Sequence, residues 1–400
     1  MKMRKLKDGI FNSFTIISAV IVTLLLFMIF LFVIIRGAHL INIRLLLNDF
    51  HAKNYVVYIE DSFNQTFDII ETEDNEYFVP NYGISLSESK DLAGNAIIEV
   101  QYVSPDSPLK YLELINGETI EFTKGMSIQR IAFINEPSVQ RSNGAQEMAI
   151  ALNNDESTLR EISFSIPGGG IRAPLISTIY LIGLTLFIVI PFGILSALYL
   201  NEYAPKNKIT NTLRRFIETL SGVPSIVFGL VGLSVFVPFT TMVTKASGAN
   251  LIAGALTLSA ILLPIVIRTT EEGFKMVPNE HRHVSLALGA NTFQTSIFIV
   301  VPGSLPNILT TIFLSIGRII GESAALIFVL GTAIRDSVSF YERTPSLAVQ
   351  IWSLMTREPA NVELASAIAI IILVVVLLLN IFIKASVTLL KRRTNDDGNI

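Results

Sequence analysis

Six long stretches of the chain carry no charged side chain: 9–35, 173–201, 219–244, 246–267, 284–317 and 364–383. About 20 apolar residues cross a bilayer core as an α-helix, and each stretch reaches that length. The fifth needs trimming, because residues 284–298 mix polar with apolar positions. Its spanning part is placed at 302–330. The pattern predicts six transmembrane helices. The first follows Lys2, Arg4, Lys5 and Lys7, as the core of a secretory leader would. Its apolar run is longer than the roughly 7–15 residues of such a core, and no small-residue cleavage site follows. An uncleaved anchor is expected.

Between the first two stretches the pattern alternates. Residues 55–59, 96–102 and 161–166 read as strands. Asn116-Gly117, between the strand-like 111–115 and 118–122, is a hairpin signal. A small β-rich domain is predicted over about 52–165. Residues 38–50 look like a short amphipathic helix at a membrane surface.

Composition narrows the function classes. Hydrophobic residues make up 51% and charged residues 16% of the 400. Soluble domains average roughly 25% charged, and a chain this apolar does not stay disordered. A net charge of −3 with no basic helical stripe excludes a nucleic-acid binder. Without cysteine there is no disulfide, thiolate metal site or iron–sulfur cluster. No metal-ligand spacing appears: His281 and His283 are separated by one residue and read as exposed loop histidines. No Gly-x4-Gly-Lys-Ser/Thr segment exists, so no P-loop nucleotide site is expected.

Charge fixes the orientation. With the N-terminus inside, the inner segments hold fifteen Lys/Arg and the short outer loops four, or six with Arg36 and Arg172. Short positive loops stay in the cytoplasm, so both termini are inside. The long stretch 37–170 carries 20 acidic and 8 basic residues, a balance of −12, which leaves +9 for the rest.

The loop between the fourth and fifth apolar stretches carries the most specific pattern. A helical pattern runs over 280–288 and stops at Gly289-Ala290. Asn291 with Gln294 then reads as a capping box. A second short helix leads to Pro302. This is a helix–turn–helix on the inner surface. His283-Val-Ser-Leu-Ala-Leu-Gly289, nine residues, then Ile299-Val-Val-Pro302 resembles the EAA loop of bacterial ABC import permeases. Its pattern is Glu-Ala-Ala, three residues, Gly, nine residues, Ile-x-Leu-Pro. The spacing fits, whereas His283, Val284 and Ser285 replace Glu-Ala-Ala.

The resemblance continues through 10–50 and about 168–393. Segments 177–204, Ser221-Gly-Val-Pro-Ser-Ile-Val-Phe-Gly-Leu230, 253–272, 288–295, Gly317-Arg-Ile-Ile-Gly-Glu322, Pro345-Ser-Leu-Ala-Val-Gln-Ile-Trp352 and the tail Lys391-Arg-Arg393 are similar to PstA-type phosphate permeases. Two of these segments also occur in the sister PstC type. The resemblance implies a mainly α membrane protein with the six-helix ABC importer permease fold and an inserted β-rich extracytoplasmic domain. Its parts are 1–50 (tail, first span, interfacial helix), 51–167 (insertion), 168–390 (permease core with coupling loop 271–302) and 391–400 (tail).

The resemblance implies that Glu280, His283, Ser285, Gly289, Ala290 and Pro302 form the surface that docks a separate ATPase. ATP and Mg then belong to that partner, with no catalysis, cofactor or metal on this chain. The other implied partners are a PstC-like permease, a PstB-like ATPase dimer, a PstS-like phosphate-binding protein and membrane lipid. The location is the bacterial inner membrane. Permeases for sulfate or molybdate, the sister phosphate subunit, and a receptor with an outer sensing domain are the alternatives.

Arg318 and Glu322 are the intramembrane charges of note. Spaced by four, they would share a helix face, with Arg318 about 24 Å beyond Pro302 on an ideal helix. Guanidinium donors suit phosphate oxygens, and Glu322 can accept from a protonated phosphate. A self-neutralising Arg–Glu pair is the structural alternative. Arg268 at the inner end of the fourth stretch either helps the anion leave or anchors the helix. Gly317-x-x-x-Gly321 and Gly229/Gly232 read as close packing positions.

Overall fold

The computed structural model describes residues 2–396 except 60–65, 69–74, 93, 115–116 and 155–157, with backbone alone for 2–11 and 389–396. It forms two units, Asn42–Arg172 and the combination of Met1–Ile41 with Ala173–Ile400. The second begins with α1 (Lys2–Gly37), apolar on every side and almost wholly uncovered by the rest of the chain. Such a helix suits lipid or another membrane protein.

The Asn42–Arg172 unit is built on antiparallel pairing. A five-residue helix α2 (Ile43–Leu47) opens it, with Asn42 accepting from the Leu45 amide and Leu45 fully buried. The amphipathic helix expected over 38–50 is thus a 3₁₀ turn (Ala38–Leu40) and this short helix. The strands are β1 (Lys53–Tyr58), β2 (Glu76–Val79), β3 (Ile84–Lys90), β4 (Ala96–Val103), β5 (Tyr111–Glu113), β6 (Thr119–Glu121), β7 (Ser127–Phe133), β8 (Val139–Gln140) and β9 (Leu159–Ile166). The main sheet runs β1-β9-β7-β4-β3-β2, with β8 beside β7.

β5 and β6 pair separately, Leu112 opposite Ile120. Gly117 in their turn has φ +81°, while Asn116 lies outside the described residues. Helix α3 (Ala145–Leu152) buries Ala145, Met148, Ala149 and Leu152, an i, i+3, i+4, i+7 face. With Val57, Leu86, Ile98, Val100, Ile128, Phe122 and Phe164 they form one core.

The entering and leaving chains of this unit are joined. β1 pairs with β9 from Lys53 opposite Ile166 to Tyr58 opposite Glu161. Gly169, Gly170 and Ile171 donate backbone bonds to Phe50, Asp49 and Leu45. Asp49, its side chain 8% exposed, is paired with Lys53 Nζ at 2.7 Å and with Arg172. Burial alone would raise the Asp49 carboxyl, but hydrogen bonds and charge from Lys53 and Arg172 outweigh it and hold the group below its usual value.

In the remaining chain α4 (Arg172–Leu198) continues as a π-helical turn over Tyr199–Tyr203. Then come α5 (Lys208–Ser221), α6 (Ser225–Val231), α7 (Val237–Val243) and α8 (Leu251–Lys275). The helix–turn–helix hairpin is α9 (Asn279–Ala287), α10 (Thr292–Thr295) and α11 (Val301–Gly303). Last are α12 (Leu305–Gly321), α13 (Ala324–Leu330), α14 (Leu347–Met355) and α15 (Val362–Asp396).

α8 is the central helix. Leu251, Ala255, Leu258, Leu262 and Val266 pack with Leu181 and Val189 of α4, Ile319 of α12, Leu326 of α13 and Val349 of α14. In lipid, apolar contact gives little net driving force, so close approach by small residues matters more. Gly229 is such a residue: a Cβ there would lie 2.7 Å from Ala325 Cα. Gly37 of α1 meets the Ala367 backbone of α15 in the same way.

Five helical segments are long and apolar enough to cross a membrane: Asn12–Leu40, Arg172–Tyr203, Ser225–Val243, Leu251–Lys275 and Val362–Thr388. The pair Thr292–Gly303 and Leu305–Gly321, bent by 64°, makes a sixth if counted as one span. Two expected boundaries move. The 219–244 stretch is not one helix, because Gly222-Val223-Pro224 separates α5 from α6. The 302–330 helix breaks at Glu322-Ser323, where Glu322 leaves helical geometry with ψ +116°.

Candidate functional site

The α9–α11 hairpin is defined by its own backbone chemistry. α9 ends in a Schellman turn: the Ala290 amide donates to Ser285 O at 3.2 Å and the Gly289 amide to Leu286 O at 3.0 Å. Gly289 sits at φ +91°, where an L side chain is strained. The Asn291–Gln294 capping box then starts α10. Ser285 Oγ and Thr295 Oγ1, 2.9 Å apart, tie the two arms. Glu280, His283 and Pro302 are exposed. So are Val284, Leu288 and Phe293, which give the hairpin an apolar crest.

The residue that holds the hairpin is Arg282, which positive-inside counting treats only as a charge. Its Nε and Nη2 donate to Glu202 Oε1 at 3.2 and 3.0 Å. Nη1 donates to Val277 O at 2.5 Å and Nη2 to Phe274 O at 2.8 Å. These two carbonyls lie at the C-terminal end of α8, where a cation is favoured. Glu202 lies in the π-helical turn that ends the α4 span. The side chains are 13% and 10% exposed. One guanidinium therefore joins α4, α8 and α9. The sequence signal was Glu202, an acidic residue at the C-terminal end of a span, but its partner is 80 positions away.

A second anchor lies beside it. Arg214 of α5 donates to buried Glu271 at 2.9 Å and to Leu200 O at 2.6 Å, and Lys275 reaches Glu271 at 2.8 Å. Arg268 is exposed and paired with Glu218 at 3.3 Å and Glu272 at 3.1 Å.

The candidate pathway residues are not arranged as their spacing suggests. Arg318 lies in the last turn of α12, exposed and without an ion-pair or hydrogen-bond partner among the described residues. Glu322 lies beyond the helix end, and its carboxylate accepts from the Ala325 amide at 3.2 Å. The pair does not share a helical face, because the break re-aims Glu322 toward the start of α13. Gly317 and Gly321 make no close packing contact within this chain. A Cβ at either meets nothing within 4 Å. Within this chain they leave open space beside Arg318. Gly229 and Gly232 do pack closely, against Ala325 and Thr257.

The sequence profile of the binding-protein-dependent transport system inner membrane component family matches residues 189–396. The probable ABC transporter permease protein YqgI of Bacillus subtilis (strain 168) is 37% identical over 204 residues, 48% of this chain and 67% of that one. The phosphate transport system permease protein PstA of Pasteurella multocida (strain Pm70) is 34% identical over 229 residues, 54% of this chain and 78% of that one. A PstA homolog of Mycoplasma pneumoniae (strain ATCC 29342 / M129 / Subtype 1) is 37% identical over 194 residues, 48% of this chain but only 28% of its own length. Among solved structures, a chain of the MetNI methionine ABC transporter in an inward facing conformation covers 55% of this chain and 94% of its own, at 20% identity and a TM-score of 0.42.

Proposed function

This chain belongs to the binding-protein-dependent transport system inner membrane component family, and from that premise we propose that it is a permease subunit of an ATP-driven phosphate importer. It is not itself an enzyme, since members of the family are transport subunits. The observation that carries the phosphate reading is Arg318. It is a cation in α12, which makes a span only together with Thr292–Gly303, and it is uncovered, unpaired among the described residues and flanked by two glycines that leave room beside it within this chain. An uncompensated charge at membrane depth is costly, and such residues mark ion pathways. A guanidinium presents planar paired donors to a tetrahedral oxyanion. Similarity to proteins named as PstA supports the same substrate.

In this reading a second permease of similar fold closes the open face of α12, and the pathway lies between the two. A phosphate-binding protein delivers the anion from outside. Two copies of an ATPase, holding ATP and Mg, receive the exposed crest of Val284, Leu288 and Phe293. Glu280, His283, Ser285, Gly289, Ala290 and Pro302 shape that hairpin. ATPase closure moves the hairpin, and the Arg282–Glu202 bond carries the motion to the inner ends of α4 and α8. Differential contact with the closed ATPase shifts the population between inward- and outward-open states. The positive-inside balance puts both termini in the cytoplasm.

Reconstitution with these partners tests the proposal. ATP-dependent phosphate uptake is expected, uncompeted by sulfate or molybdate. Arg318→Ala is expected to abolish it while the complex still assembles. Uptake retained in the assembled variant refutes the role of Arg318, and sulfate or molybdate uptake refutes the substrate.

A further inference from the structure

Helix α5 lies between two spans, Arg172–Tyr203 and Ser225–Val243, yet it is not a span. Its fourteen residues would cover about 21 Å at 1.5 Å per residue, too short for a bilayer core of about 30 Å. Gly222-Val223-Pro224 then separates it from α6.

Its surface has three faces. Thr210, Arg214 and Ile217 face the body of the chain: Thr210 is buried, Arg214 is bonded to Glu271 and Leu200 O, and Ile217 packs beside the Leu198–Phe274 core. Ile209, Leu213, Phe216 and Leu220 follow at i, i+4, i+7 and i+11, a continuous apolar stripe. They are 78%, 46%, 63% and 45% exposed. Lys208 and Arg215 lie on the third, polar face, and neither side chain pairs with a carboxylate among the described residues. Lys206 precedes the helix and is also exposed and unpaired among them.

We infer that α5 is an interfacial helix of the inner leaflet, with its apolar stripe among the upper acyl chains and Lys206, Lys208 and Arg215 against anionic lipid headgroups. Three observations favour a lipid surface over a protein. The helix enters and leaves through segments that connect to membrane spans, which holds it near the bilayer surface. Its exposed cations match the negative charge of an anionic leaflet. The stripe sits beside a cationic face, the layout of helices lying in the interface plane. The consequence reaches the transport machinery. Arg214, on the same helix, bonds Leu200 O, two residues before the Glu202 that holds the coupling hairpin. Lipid seated on one face of α5 steadies the base against which the hairpin moves.

The test uses the full chain in lipid nanodiscs, alone and in complex with its ATPase. Trp352→Phe removes the single native tryptophan, and Phe216→Trp places a reporter in the stripe. Brominated phosphatidylcholines then report depth. Stronger quenching by bromines near the headgroup end of the acyl chains than by those near the bilayer centre is expected, with or without the ATPase. A second arm reads energy transfer from the same indole reporter to dansyl-phosphatidylglycerol against dansyl-phosphatidylcholine. Preference for the anionic lipid is expected, falling about five-fold for each of Lys208→Gln and Arg215→Gln.

Three results overturn the inference. Quenching strongest at the bilayer centre makes α5 part of a span. Absent quenching in the isolated chain, or its loss when the ATPase binds, gives the stripe to a protein partner. Equal transfer to the two lipids removes the headgroup contact. None of these readouts depends on the transported anion.

Discussion

Replacing Arg282 by Ala is the perturbation that separates a structural hairpin from a decorative loop. The substitution leaves Glu202, 10% exposed, without its cation and removes donors from Val277 O and Phe274 O. Removing one partner of a buried ion pair costs about 3–5 kcal/mol. The residual exposure of both groups argues for the lower end, about 3 kcal/mol, or roughly 150-fold in an opening equilibrium. Native-state hydrogen exchange over 279–303 in the reconstituted chain reads this directly. Opening of the hairpin is expected to rise by that factor, with exchange in the Asn42–Arg172 unit unchanged. Arg282→Lys keeps the charge but not the forked donors, so an intermediate effect is expected. Glu202→Gln with Arg282→Gln is expected to recover part of the loss, since no unpaired charge remains. Exchange in Arg282→Ala within about three-fold of the parent refutes the anchoring role. Uptake by the assembled complex is expected to fall with the hairpin while ATP hydrolysis continues.

Gly289→Ala is expected to destabilise the hairpin by about 1 kcal/mol through its φ of +91° alone, because a Cβ there has open space; exchange of 279–290 no faster than in the parent contradicts it. Gly229→Ala is expected to lower the thermal stability of the solubilised chain, since its Cβ meets the Ala325 backbone, whereas Gly317→Ala is expected to leave it unchanged; equal melting shifts contradict the distinction. Asp49→Asn is expected to cost the Asn42–Arg172 unit about 1–2 kcal/mol near neutral pH. Asp49 is held below the ordinary 3.8, so its contribution is present above that value and fades as pH falls through the lower folded value. Parent and variant stabilities are expected to converge in acid, and parallel stability curves from about pH 5 to pH 2 contradict this.

Much of this architecture is readable where local chemistry decides. The Schellman turn at Gly289 and the Asn291–Gln294 box follow from side chains three to five positions apart. The strands at β4 and β9 follow from alternation. The unread features are those decided at a distance or by exchange of partners. Arg282 scored as one more cytoplasmic positive charge because Glu202 comes from another span. The i, i+4 spacing of Arg318 and Glu322 implied a shared face, but Glu322 caps α13 and ends α12. The signal was a polar pair, Glu322-Ser323, ahead of a fresh apolar run. Apolar content alone likewise merged the end of α5 with the span after it. A charge-free run marks residues that tolerate lipid, not an unbroken helix.

The zipped ends of the Asn42–Arg172 unit have an evolutionary consequence. Its first and last residues are held together by β1–β9 pairing, the glycine amides of 169 and 170, and the Asp49–Arg172 bond. A domain whose first and last residues are zipped in this way leaves the flanking chain the same two neighbouring ends whether it is present or removed. It can be acquired, discarded or exchanged as a cassette in a single genetic step, with the flanking spans needing only a short splice.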